Sequence, residues 1–120
     1  MNKTVLVVDD DPTQRRLTQA VLEREGFRVL HADGGRAALD QLASGTGVDV
    51  VLLDLVMPEV DGKQALEQIM AFDPQAKVVV LSSLGAQADI EECLRKGARS
   101  YLQKPIDPTV LRRVLADATA

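Results

Sequence analysis

Short apolar runs and longer amphipathic stretches alternate along this chain. Thr4 to Val8 is a nearly unbroken apolar run, and so are Val48 to Leu53 and Lys77 to Leu81. Runs of this length, rich in Val and Leu and bounded by turn residues, read as strands buried on both faces. Phe27 to His31 and Arg99 to Leu102 read as two further short strands. Between the strands, apolar residues recur at helical spacing. Asp11-Pro12 reads as a helix cap with proline at the first helical position. Leu17, Ala20, Val21 and Leu22 supply that helix's apolar stripe, and Gly26 stops it. Gly34-Gly35 opens a second helix, with Ala38, Leu39 and Leu42 facing inward. A turn at Ser44 to Gly47 follows. After the third strand, Met57 to Gly62 is a loop whose Asp61 can cap a helix buried through Ala65, Leu66, Ile69 and Met70. Asp73-Pro74 breaks the chain. A fourth helix turns Ile90, Cys93 and Leu94 inward and ends at Gly97, and Asp107-Pro108 starts a fifth, lined by Val110, Leu111, Val114 and Leu115.

Five βα units with short connections predict an α/β fold. The expected form is a three-layer αβα sandwich around a five-stranded parallel sheet with right-handed crossovers. Five strands favour the flavodoxin-like order 2-1-3-4-5, whose switch point lies between the first and third strands. Those two strands end in acids: Asp9-Asp10-Asp11 follows the first and Asp54 the third. Ligands gather outside the carboxyl ends of strands at such a crevice. Carboxylates meeting there repel one another and call for a cation. With no His or Cys nearby, the hard oxygen set selects Mg²⁺ or a similar hard divalent ion. A carboxylate can also act as a nucleophile and become an acyl phosphate. Ser82-Ser83 and Lys104-Pro105, at the ends of the fourth and fifth strands, could contact the phosphoryl oxygens. In-line transfer needs little beyond such positioning and charge neutralisation. Asp11 is expected to be only the helix cap.

Composition narrows the reading further. The 120 residues suit one domain, 1–120, with one core. Aromatics make up only 2% of the chain, so Val, Leu and Ala must fill the interior. Eighteen acids against fourteen bases give a net charge of −4, which disfavours direct nucleic-acid binding. A single cysteine excludes an internal disulfide. No apolar run reaches the roughly 18 residues of a membrane span, and the first residues lead directly into a strand with no signal peptide. A cytoplasmic protein is expected.

The residues named so far carry a family resemblance. Val5 to Asp11, Asp54 to Gly62, Val79 to Ser82 and Gly97 to Pro105 together resemble the receiver domains of two-component response regulators, over the whole chain. Asp73 to Gly85 is similar to single-domain, chemotaxis-type receivers. The resemblance implies that Asp54 accepts a phosphoryl group from a histidine kinase or histidine phosphotransfer protein. It implies that Asp9, Asp10, Asp54 and the backbone carbonyl of Val56 hold Mg²⁺, and that Ser82 hydrogen-bonds the phosphoryl group. Lys104 would pair with that group, before a cis proline at Pro105. Tyr101 would be the switch residue that turns inward. The surface of the fourth helix, fifth strand and fifth helix would then signal to a downstream protein effector or a fused output domain. The first helix would dock the phosphodonor. The protein would not be an enzyme in its own right, although it would promote its own phosphorylation and dephosphorylation. It would act as a monomer, or a dimer when phosphorylated.

Some positions depart from that pattern. Ile106 stands where Phe is usual, and Ser83 where Ala or Gly is frequent. Val56 and Leu84 are apolar at rim positions that often carry polar residues, and are expected to shield an acyl phosphate from water. Other readings weigh less. A Mg²⁺-dependent phosphatase with an aspartyl nucleophile usually has a second acid two residues on, where this chain has Val56. A flavin mononucleotide carrier would need a Ser/Thr/Gly loop after the first strand. The chain could also be the receiver part of a longer transcriptional regulator. His31, the only histidine, has no evident orienting partner and reads as ordinary surface; Cys93 reads as buried packing. Gly34-Gly35 lacks nucleotide-loop spacing, and Arg112-Arg113 reads as a solvated face.

Overall fold

A computed structural model describes residues 3–55, 62–83 and 87–120. Its elements are β1 (Thr4–Val8), α1 (Pro12–Arg24), β2 (Arg28–Ala32), α2 (Gly35–Ala43), β3 (Val50–Asp54), α3 (Gly62–Phe72), β4 (Val78–Ser82), α4 (Gln87–Arg95), β5 (Ser100–Gln103) and α5 (Pro108–Ala118). The five strands form one parallel sheet in the order β2-β1-β3-β4-β5. The expected topology is therefore the observed one, with β1 and β3 side by side at the switch point.

The strands alternate their side chains between two apolar layers. Val5, Val7, Val50, Leu52, Val79 and Leu81 pack with Leu22 of α1 and with Leu111 and Leu115 of α5. Leu6, Val8, Val51, Leu53, Val78 and Val80 face the other way, onto Ala38, Ala65, Leu66, Ile69 and Cys93 of α2, α3 and α4. β1, β3 and β4 are buried at every position, which is why they read as unbroken apolar runs.

Local chemistry sets the ends of the elements. Asp11 caps α1 by accepting N–H bonds from Thr13 (2.9 Å) and Gln14 (3.4 Å), and Asp107 does the same for α5 with Thr109 (2.8 Å) and Val110 (3.5 Å). Gly26 takes a φ of +94°, which a side chain would resist, and turns the chain out of α1. That closure bonds the Phe27 amide to the Leu22 carbonyl (3.0 Å), so β2 starts at Arg28 and not at Phe27. Its far end runs on to Ala32, whose carbonyl accepts from the Asp9 amide (3.0 Å). β3 begins at Val50 and not Val48, and β3, β4 and β5 each extend one residue further than the apolar runs imply. The predicted cap at Asp61 lies outside the described residues.

Three surface assignments differ from the sequence reading. Leu17 is 57% exposed and Ala20 is also outside, because α1 turns Thr18 and Leu22 inward, with Val21 half-buried. Leu94 is 40% exposed, and α4 buries only Ile90 and Cys93. Ion pairs from Lys63 to Asp89 (2.8 Å) and Glu92 (3.5 Å), and from Glu67 to Lys96 (2.5 Å) just after α4, join that segment to α3 at the surface. Such pairs hold position more than they add stability. Arg112 is not simply solvated: it pairs with Glu25 at 3.0 Å and links α5 to the end of α1. Among the described residues, no helix is long and apolar enough to cross a membrane.

Candidate functional site

Parallel pairing of β1 with β3 sets Val8 opposite Leu53. The next residue on each strand, Asp9 and Asp54, therefore emerges at the same carboxyl edge. Both are almost fully buried, at 2% and 3% exposure. Pairing of β3 with β4 sets Asp54 opposite Leu81 and brings Ser82 alongside. The Lys104 amide donates to the Ser82 carbonyl at 2.9 Å, which fastens the end of β5 to the end of β4. From there Lys104 reaches back, and its Nζ donates to Asp54 Oδ2 at 2.9 Å. The Lys104-Pro105 peptide is cis.

The electrostatics show strain of one sign. Burial pushes the Asp9 carboxyl above its ordinary range, and the neighbouring charges of Asp54 and Asp10 push it the same way. The Asp11 amide, donating to Asp9 Oδ1 at 2.9 Å, and the Lys104 charge oppose them but do not cancel them. Crowded carboxylates of this kind accept a cation readily. Among the described residues no three His, Cys, Asp or Glu side chains form a metal-holding group by themselves. The charges of Asp54 and Asp10 nevertheless reach Asp9, so the oxygen donors at this edge are carboxylates. It suits a hard ion that keeps several waters, and Mg²⁺ is bound in that way through one or two carboxylates. The residues present fit that ion.

The Ser82 hydroxyl is buried and finds no hydrogen-bond partner among the described residues. A buried hydroxyl without a partner costs on the order of 1–3 kcal/mol. It marks a place where an incoming oxygen would be welcome. Beside the site, a groove of about 610 Å³ runs between α1 and the β5–α5 connection. Asp9 and Lys104 border it, with Gln14, Leu17, Val21 and Ile106 along its walls. Leu17, exposed for a large apolar side chain, is one of those walls.

Asp9, Asp54, Ser82 and Lys104 are thus brought to one edge, with half-buried Asp10 following Asp9 in the same turn. Tyr101 is 40% exposed on β5, the edge strand, and so is turned outward. Val56 and Leu84 lie outside the described residues. His31 departs from expectation: its Nε2 is 2.7 Å from Gln19 Oε1 of α1, and its Nδ1 is buried without a partner among the described residues. Burial lowers its pKa, and the Arg15 charge adds to the effect.

Two contributors were missed from sequence. Arg15 of α1 donates through Nη1 to the Asp9 carbonyl at 2.7 Å. The only available signal was its position one helical turn after the Asp11 cap. Gly62 brings the start of α3 against the backbone of Asp54 and Leu55, with its amide on the Leu55 carbonyl at 3.0 Å. Glycine next to a loop is too common to announce that contact.

Comparison with known proteins agrees with this geometry. The family described as response regulator receiver domain matches residues 5–116. The chain is 36% identical over 110 residues to a chemotaxis protein CheY of Thermotoga maritima, covering 91% of each chain. It is likewise 36% identical over 116 residues to the transcriptional regulatory protein ZraR of Klebsiella oxytoca, covering 97% of this chain but only 26% of that one. Among solved structures, a response regulator receiver domain protein from Clostridium thermocellum superimposes with a TM-score of 0.90 at 28% identity, covering 98% of this chain and 94% of that one.

Proposed function

This chain belongs to the response regulator receiver domain family of two-component signalling, and on that premise we propose that residues 1–120 form one receiver whose phosphoacceptor is Asp54. The observation that carries the proposal is the buried Asp54 carboxylate held by Lys104 at 2.9 Å, beside a charge-crowded Asp9 and a Ser82 hydroxyl with nothing to bond among the described residues. An Asp54 carboxylate oxygen attacks the phosphorus of a partner's phosphohistidine. The P–N bond breaks as the acyl phosphate forms, and the imidazole leaves. Asp9 and Asp10, with Asp54 and the Val56 carbonyl, would hold Mg²⁺. When bound, that ion neutralises charge on the phosphoryl oxygens and on the acids. Lys104 stays within reach of the new dianion, and Ser82 donates its hydroxyl to it.

The groove between α1 and the β5–α5 connection gives the donor histidine an apolar wall to dock on, directly beside Asp54's partner Lys104. The partner is a histidine kinase or a histidine phosphotransfer protein. Drawing Ser82 toward the phosphate opens room at the end of β4, and Tyr101 on the neighbouring strand turns in. The α4-β5-α5 surface changes as a result. New contacts worth about 1–3 kcal/mol would shift such an equilibrium roughly 5- to 150-fold. The output is a separate effector protein or a fused domain. The fused arrangement draws support from ZraR, of which the matched region is about a quarter.

Incubation with acetyl phosphate and Mg²⁺, followed by intact-mass measurement, tests the central claim. A single phosphoryl adduct is expected, absent in Asp54→Asn and absent when EDTA replaces Mg²⁺. An unchanged adduct in Asp54→Asn would move the acceptor elsewhere.

A further inference from the structure

We propose that Arg15 is a positioning residue for the metal-binding acids, acting through the main chain and not through its charge. The inference rests on the assignment of Asp9 and Asp10 to the Mg²⁺ site. Asp9 is pinned at three atoms: its amide donates to the Ala32 carbonyl (3.0 Å), its Oδ1 accepts from the Asp11 amide (2.9 Å), and its carbonyl accepts from Arg15 Nη1 (2.7 Å). The Asp9 carbonyl and the Asp10 amide belong to one rigid peptide plane. Fixing that carbonyl therefore fixes the direction in which Asp10 leaves the backbone. On its other side, Asp10 is joined to Asp11, whose side chain is committed to capping α1 through Thr13 and Gln14. Asp10 is thus aimed by its two neighbours.

Arg15 is well placed for this role. Its amide bonds the Asp11 carbonyl at 2.9 Å, so it belongs to the helical turn that begins at the acidic loop. It is half-buried, whereas Arg16, the next residue, is exposed. A surface arginine present for solubility would not commit a guanidinium nitrogen to a main-chain carbonyl at charge-assisted distance. Groups that orient ligands from behind commonly affect metal affinity by 10-fold or more when removed.

The sign of the effect separates this role from a bulk electrostatic one. Arg15 is a cation near a cation site. If its charge were what mattered, removing it would tighten Mg²⁺ binding. If its hydrogen bond aims Asp10, removing it loosens binding. The experiment is a Mg²⁺ titration of the phosphate-free protein followed by backbone amide NMR shifts, on wild type, Arg15→Lys and Arg15→Met. The expected order of affinity is wild type, then Lys, then Met, with Met weaker by about 10-fold. Lysine retains one donor and restores part of the loss. Should Arg15→Met fail to fold, Arg15→Leu, which likewise removes both the charge and the donor, takes its place and should bind more weakly than wild type. Equal or tighter Mg²⁺ binding by the folded neutral variant overturns the inference and leaves the site assignment standing. Absence of any Mg²⁺-dependent shift near Asp10 in the wild type overturns the site assignment, and this inference with it.

Discussion

Replacing Gly62 with alanine should damage both stability and phosphorylation, by an amount the packing allows to be worked out. A methyl group at Gly62 would lie 2.3 Å from Leu55 Cα, 2.7 Å from the Asp54 carbonyl oxygen and 2.9 Å from the Leu55 carbonyl carbon. Comfortable carbon–carbon separation is about 3.5–4.0 Å, so the shortfall is more than ~1 Å. All three neighbours are backbone atoms of the strand end that carries Asp54, so no side chain can rotate away. Either α3 must lift or the Asp54–Leu55 segment must move. Overpacking of this kind costs about 1–3 kcal/mol. Lifting α3 also strains the Gly62 amide bond to Leu55, worth about 1 kcal/mol. Together these give about 2–4 kcal/mol. At about 3–5 °C per kcal/mol for a domain of this size, Tm should fall by roughly 6–20 °C. Gly34→Ala is the control, since nothing lies within 4 Å of its added carbon; it should cost less than about 1 kcal/mol, the loss of a modest cap. Thermal unfolding by circular dichroism reads the stability. Adduct mass after acetyl phosphate treatment reads the site. A Gly62→Ala protein within 1 °C of wild type, by this order-of-magnitude reckoning, would show that the contact is softer than drawn and refute the reasoning.

Other consequences can be checked directly. Asp9→Asn keeps the Oδ1 acceptor for Asp11 and removes a carboxylate whose ionisation the fold disfavours. It should raise Tm at neutral pH without metal. Because the folded pKa is raised, the wild type recovers as pH falls through that value, so the gap should close in acid; a gap that widens would contradict the electrostatic account. The His31 pKa is lowered from 6.5, so the unfolded chain takes up the proton first, and stability should decline as pH falls below 6.5. His31→Gln should flatten that decline in a Tm-against-pH series. Arg15→Met should raise the His31 midpoint followed by imidazole NMR, because it removes a repelling charge. A Val56→Asn, Leu84→Glu double variant should lose its phosphate faster than wild type in a mass-resolved decay, and equal or slower decay would remove the shielding role assigned to those two apolar residues.

What could be read from the sequence depended on whether the chemistry sat in a periodic pattern. The strand order followed from alternation and short connections. Asp9, Asp10 and Asp54 stood out because each ends an apolar run, where nothing but a turn or a site explains an acid. Lys104 was legible beside Pro105 at the end of the fifth strand. The orientation of α1 was not. Leu17, Ala20, Val21 and Leu22 span more than one face, and sequence cannot say that Thr18 goes inward and Leu17 outward into the groove. Phe27 looked like a strand residue because its side chain is apolar, but its amide closes α1. Arg15 and Gln19 act on a main-chain carbonyl and on a histidine across an element boundary. Neither partner leaves a mark at the arginine or glutamine itself.

Among the described residues, the sheet divides the buried side chains into two compartments with none in common. Val7 and Leu52 belong with α1 and α5, Val8 and Leu53 with α2 and α3. Amino-acid drift on one side therefore need not be compensated on the other. The compartment beneath α1 and α5 can be repacked while the compartment under α2, α3 and α4 keeps its shape. A lineage built on this plan can repack one face of the sheet without disturbing the other, with the acids at the strand ends left untouched.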